Sequence, residues 1–90
     1  MDEVLAHYAE IDRALPIAFL DELDATLKFL RRYPNAGASF HVVYRRLVLR
    51  RFPYLIVYRV TTRDRSARIL AIVHGARDPR DVLAQVRQRG

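Results

Sequence analysis

The spacing of apolar residues changes near residue 40, and that change decides what this chain can fold into. Before it, apolar residues recur every three or four positions. Val4, Tyr8, Ile11 and Leu15 form one set, and Leu20, Leu23, Leu27 and Leu30, widened by Phe19, form the next. Each set falls on one face of an α-helix. After it, β-branched and aromatic residues crowd into short runs at 42–52 (VVYRRLVLRRF), 54–61 (YLIVYRVT) and 68–74 (RILAIVH). Such runs are the mark of strands.

The boundaries follow from local chemistry. A first helix is expected over 2–13 and a second from Pro16 to about Arg32, because proline is tolerated in a first helical turn. Asp21, Glu22 and Asp24 come early in the second helix and Lys28, Arg31 and Arg32 late, an order that suits the helix dipole. Pro34 stops this helix, and Asn35-Ala36-Gly37 supplies loop residues. Pro53-Tyr54 divides the first two strands, and Thr62-Arg63-Asp64-Arg65-Ser66 is a polar turn between the last two. Connections this short favour antiparallel hairpins. In the middle strand Tyr54, Ile56, Tyr58 and Val60 alternate with Leu55, Val57 and Arg59, and the Ile56/Tyr58 face is expected to lie on the helices. In the tail, Asp78 is a good N-cap, Pro79 a good first residue and Asp81 a suitable third one. A last helix over 79–88 would bury Val82, Leu83 and Val86. The expected fold is α+β: one domain over 1–90, a helical hairpin packed on a small three-stranded antiparallel sheet, and a short C-terminal helix.

Composition narrows the function. The chain has no cysteine, which removes disulfide and thiolate chemistry, and His7, His41 and His74 are too scattered to suggest a metal site. Nothing indicates a nucleotide or organic cofactor. No apolar run reaches the roughly 18–20 residues that span a bilayer, and Met-Asp-Glu-Val is acidic where a signal peptide is basic. A cytoplasmic protein without membrane contact is expected. The net charge of +6 is unevenly placed. Residues 1–24 carry seven acids and one base, a net of −6, while residues 25–90 carry fifteen bases and three acids, a net of +12. A surface that basic suits nucleic acid or an acidic protein partner; it also suits plain solvation.

Three stretches resemble the RelE/ParE toxin superfamily, in its ParE-like (plasmid stabilization) branch. His7 to Gly37 (HYAEIDRALPIAFLDELDATLKFLRRYPNAG) is similar to the family's helical hairpin closing on a Pro-x-x-Gly loop. Tyr44 to Val60 (YRRLVLRRFPYLIVYRV) is similar to its arginine-bearing strand, aromatic-Pro-Tyr turn and I-V-Y-R strand. Ile69 to Arg80 (ILAIVHGARDPR) is similar to the last strand and the His-x-x-Arg-x-Pro ending of the ParE branch. Members usually begin with a β-strand, which this chain reads as lacking, so an extra sheet edge is expected to be open to a partner. An upstream start, a partner strand or a degraded copy would each account for that. Relatives often carry an aromatic residue after the ending, where this chain has Asp81-Val82-Leu83.

The resemblance implies the toxin of a type II toxin–antitoxin system. Its ParE branch inhibits DNA gyrase by protein–protein binding. Its RelE branch is a ribosome-dependent mRNA endoribonuclease. An inactive remnant that still binds antitoxin is a third reading. For target or antitoxin binding the candidates are Arg45, Arg46, Arg50, Arg51, Arg59, His74, Arg77 and Arg80. A ribonuclease would draw on Arg50, Arg59 and Arg77 as cations for the phosphate, with His74 as acid or base because a free imidazole titrates near neutrality. Against it, Asp64 is the single acid between 42 and 74, and the tail offers no tyrosine to stack on a base. Expected partners are an acidic, extended antitoxin segment and gyrase (ribosome and mRNA in the alternative), with a homodimer or toxin–antitoxin hetero-oligomer as the assembly.

Overall fold

The computed structural model describes residues 5–6 and 15–89. Helix α1 spans Leu15–Arg32, followed by strands β1 (Ala38–His41), β2 (Tyr44–Val48), β3 (Tyr54–Val60) and β4 (Ala67–His74), and by helix α2 (Pro79–Arg89). The strands form one antiparallel meander in the order β1-β2-β3-β4. The expected first helix lies outside the described residues apart from Leu5 and Ala6, which are helical. The question of a missing N-terminal strand lies outside them too.

Helix α1 begins one residue before Pro16, as proline in a first turn requires. The dipole argument holds at its C-terminal end only. Arg31 and Arg32 occupy the last turn, but no acid stands in the first. Asp21, Glu22 and Asp24 lie beyond the single turn over which the dipole acts, and the last two find other partners. Asp24 pairs with Lys28 at 3.0 Å on the surface. Glu22 accepts the Arg51 amide at 3.1 and 3.2 Å, which ties the β2–β3 turn to the helix.

The sheet has four strands where three were expected. Residues 42–52 do not run as one strand. Tyr44–Val48 pairs on one side with β3 and on the other with Ala38–His41, a stretch without the alternation that marks a strand. Backbone pairing to Arg45 and Arg46 makes it one. The turn between them is Val42-Val43, and Val42 has φ of 46°. That left-handed conformation costs a β-branched residue about 1–2 kcal/mol, and both valines are exposed, at 83% and 56%.

Strand β3 is the centre of the fold, with Ile56, Val57 and Tyr58 all fully buried. Its two faces feed two cores. Ile56 and Tyr58 pack with Phe19, Leu23 and Leu30 of α1 and with Leu49 and Phe52, as the alternation implied. Val57 joins Tyr44, Leu70, Ala71 and Val73, covered by Val82 and Val86 of α2. A register shift opposite Val57/Tyr58 lets Leu70 and Ala71 both face this second core. The layers are therefore α1, sheet and α2.

A buried hydrogen bond also joins the loop after α1 to the sheet. The Gly37 amide donates to the Tyr58 hydroxyl at 2.8 Å, 21 residues on. The approach is so close that a Cβ on Gly37 would lie 2.6 Å from that oxygen and 2.7 Å from the Arg46 carbonyl. Arg45 adds a guanidinium bond to the Gly37 carbonyl at 2.8 Å. Tyr58→Phe would leave the buried amide without an acceptor, so unfolding in urea should show a loss of about 1–3 kcal/mol. Gly37→Ala, which also pushes the backbones apart, should lose at least as much. Wild-type stability in either variant would contradict the contact's role.

Candidate functional site

Tight turns sort the candidate side chains into two groups at opposite ends of the sheet. The meander puts the β2–β3 turn (49–53) and the β4–α2 turn (75–78) at one end. The Gly75 amide donates to the Pro53 carbonyl at 2.8 Å, and the His74 ring stands edge-on to Tyr54 with centroids 5.2 Å apart. Arg50, Arg51, His74, Arg77 and Arg80 thus share this end, and all are exposed.

Most of them already hold structural partners. His74 Nδ1 accepts the Ala76 amide at 3.0 Å, so in this geometry that nitrogen carries no proton. Arg77 donates to the Gln85 side chain at 2.7 Å, which holds the turn against α2. Asp78 caps α2 as expected: its carboxylate accepts the Arg80 amide at 2.9 Å and pairs with the Arg80 guanidinium at 3.1 Å. These bonds, the Arg80 side chain foremost, hold the Asp78 carboxyl below its ordinary value of 3.8.

Arg59 belongs to the other end. It faces Tyr44 on β2 and Arg68 on β4, while Tyr54, five residues earlier, faces His74. Five strand residues span roughly 17 Å. The side chains also diverge: Tyr54 packs in the α1 core, whereas Arg59 alternates with Tyr58 toward the α2 side. The structure therefore brings Arg50, His74 and Arg77 together and sets Arg59 apart. Arg45 is committed to the carbonyls of Gly37 and Asn35, and Arg46 is exposed between the two ends.

Two features were missed by the sequence reading. One is a groove of about 900 Å³ between α1 and β2. Ala25, Phe29, Leu47 and Val48 line it, with Asp21 and Glu22 on one wall and Arg50 and Arg51 on the other. Since β1 pairs only as far as Arg46, the β2 edge at Leu47-Val48 has no strand beside it among the described residues. The other is a second basic group, Arg63 and Arg65 in the 61–66 turn and Arg68 paired with Arg59 across β3 and β4. The density of arginine over 59–68 was its available signal. Among the described residues no group of His, Asp or Glu could hold a metal ion, and no helix is long and apolar enough to cross a membrane.

Residues 1–79 match the family model described as ParE toxin of type II toxin-antitoxin system, parDE. The chain belongs to the ParE toxin family. It is 35% identical over 92 residues to "Toxin ParE2" of two Mycobacterium tuberculosis strains, CDC 1551 / Oshkosh and ATCC 25618 / H37Rv, covering 97% of this chain and 82% of each relative. No solved structure matches it significantly. As a ParE toxin of a type II system, it has an antitoxin as partner.

The Asp78 cap gives a pH test. A depressed carboxyl stabilises the fold fully above its unfolded value of 3.8, and this contribution is lost as pH falls through the lower folded value. Asp78→Ala should therefore lower the melting temperature at pH 7, and the gap to wild type should close as the pH is brought below that range. A gap that stays constant down to pH 2 would mean the charge plays no part.

Proposed function

We propose that this ParE toxin is a non-enzymatic inhibitor of DNA gyrase, acting by protein–protein contact. The observation that carries this reading is the separation of Arg59 from His74 and Arg77. Cleavage of RNA by its own 2′-hydroxyl needs an acid, a base and phosphate-binding cations around one phosphate. Here Arg59 lies at the end of the sheet away from His74 and Arg77. The His74 Nδ1 is engaged with a backbone amide. Asp64, the one acid between residues 42 and 74, is bound into its own turn by Thr61 and Ser66. Binding and blocking a large enzyme needs none of this. It needs a basic, partly apolar surface, and Arg50, Arg51, His74, Arg77 and Arg80 offer one.

The antitoxin fits a different feature on this reading. An extended acidic segment can add a strand beside Leu47-Val48 and lie along the groove, with Arg46, Arg50 and Arg51 as counter-charges. Antitoxin and target surfaces would then overlap at Arg50 and Arg51, which would account for neutralisation by occlusion.

The test is a supercoiling assay with purified gyrase and purified toxin. Inhibition is expected at micromolar toxin, and relief on adding the cognate antitoxin. Unaltered supercoiling, with translated messages cut at defined sites in a primer-extension assay, would instead establish the ribonuclease alternative.

A further inference from the structure

The end of the sheet away from His74 carries a combination that the fold itself does not need. Val42 and Val43 form the β1–β2 turn, and the register Tyr44–Arg59–Arg68 brings that turn level with the end of β3 and the start of β4. The 61–66 turn stands beside it. Both non-glycine residues with positive φ among the described residues, Val42 at 46° and Arg65 at 53°, are found in these two turns.

The strain at Val42 is avoidable. A two-residue hairpin turn with positive φ at its first position alone is best made by glycine there, followed by a polar residue such as asparagine. Valine there is both strained and unburied. Strained, exposed apolar residues are destabilising in the free protein, and they become favourable when a partner desolvates them. The surroundings say what kind of partner that is. Residues 59–68 hold Arg59, Arg63, Arg65 and Arg68 against one acid. That acid, Asp64, accepts hydrogen bonds from the Thr61 hydroxyl and from the Ser66 hydroxyl and amide, which hold the carboxylate against its own turn. Thr61 first and Ser66 next hold its carboxyl below the ordinary value.

We infer that the Val42-Val43 tip and the arginines around it form a second target-contacting surface, which inserts the two valines into an apolar recess bordered by carboxylates on a protein. A protein recess is favoured over nucleic acid because phosphate backbones would use the arginines and leave both valines in water. The inference rests on the chain being a toxin, not on gyrase being its target.

Such a surface has a signature that a purely structural turn lacks: removing it makes the protein more stable and less toxic. The experiment compares wild type with the double variant Val42→Gly/Val43→Asn, and with Arg63→Glu/Arg65→Glu, each expressed without antitoxin. The first variant should melt higher, by on the order of 4–8 °C, yet fail to arrest growth at an induction level where wild type does. The second should lose arrest while melting near wild type. Arrest by both variants at the wild-type level would overturn the inference, and so would a wild-type chain that arrests nothing. Binding of wild type to double-stranded DNA, lost in the variants, would also overturn it by assigning the surface to nucleic acid. The gyrase assay reads the other proposal separately, because growth arrest reports a target of any kind.

Discussion

The hydrogen bond from the Gly37 amide to the Tyr58 hydroxyl is the contact on which the other positions depend. Tyr58 stands at the middle of the central strand and is fully buried. Gly37 is the last residue before β1. Joining them fixes where the chain leaving α1 enters the sheet, and the Arg45 bond to the Gly37 carbonyl holds the same residue from the other side. Only glycine permits the approach, since its hydrogen stands where a Cβ would meet the phenol oxygen. From this point the meander is determined by short connections. Each successive turn falls at an alternate end of the sheet, so the surface is built as two separate ends.

That division gives the basic composition a meaning that net charge alone does not. Two of the arginines at the His74 end are held by neighbours: Arg77 by Gln85, Arg80 by Asp78. Arginines at the Val42 end flank a strained apolar turn. Arg59 stands apart from Arg50 and Arg77, so the basic residues fall into two groups. On the inhibitor reading, the spread suits a toxin that touches a large protein at more than one place, while its antitoxin takes the groove between.

Helices and central strands were legible in the sequence because periodicity reports burial. Phe19, Leu23, Leu27 and Leu30 announced α1, although Leu20 of the expected stripe is exposed, and Ile56 and Tyr58 announced the face that meets it. The Asp78-Pro79 start of α2 was legible because capping is local chemistry. Strand β1 was not, because Ala38–His41 carries no alternation and exists through its pairing with Arg45 and Arg46. The acids of α1 were misassigned to the dipole for a related reason: Glu22 is placed for the Arg51 amide, 29 residues away. Of the site, the residues near HGARDPR were legible as a segment. Their separation from Arg59 was not, since distance along a sheet appears only when register is known. The strain at Val42 was hidden with β1, because a turn needs both its strands.

Hydrogen exchange of the toxin, alone and mixed with saturating gyrase, tests the central claim most directly, because it reads fold and contact residue by residue. The account predicts a slow Gly37 amide in the free protein, and slowed exchange on binding in the 42–43 and 62–66 turns as well as at 74–80. A fast Gly37 amide, or binding that leaves every one of those turns exchanging as before, would contradict it.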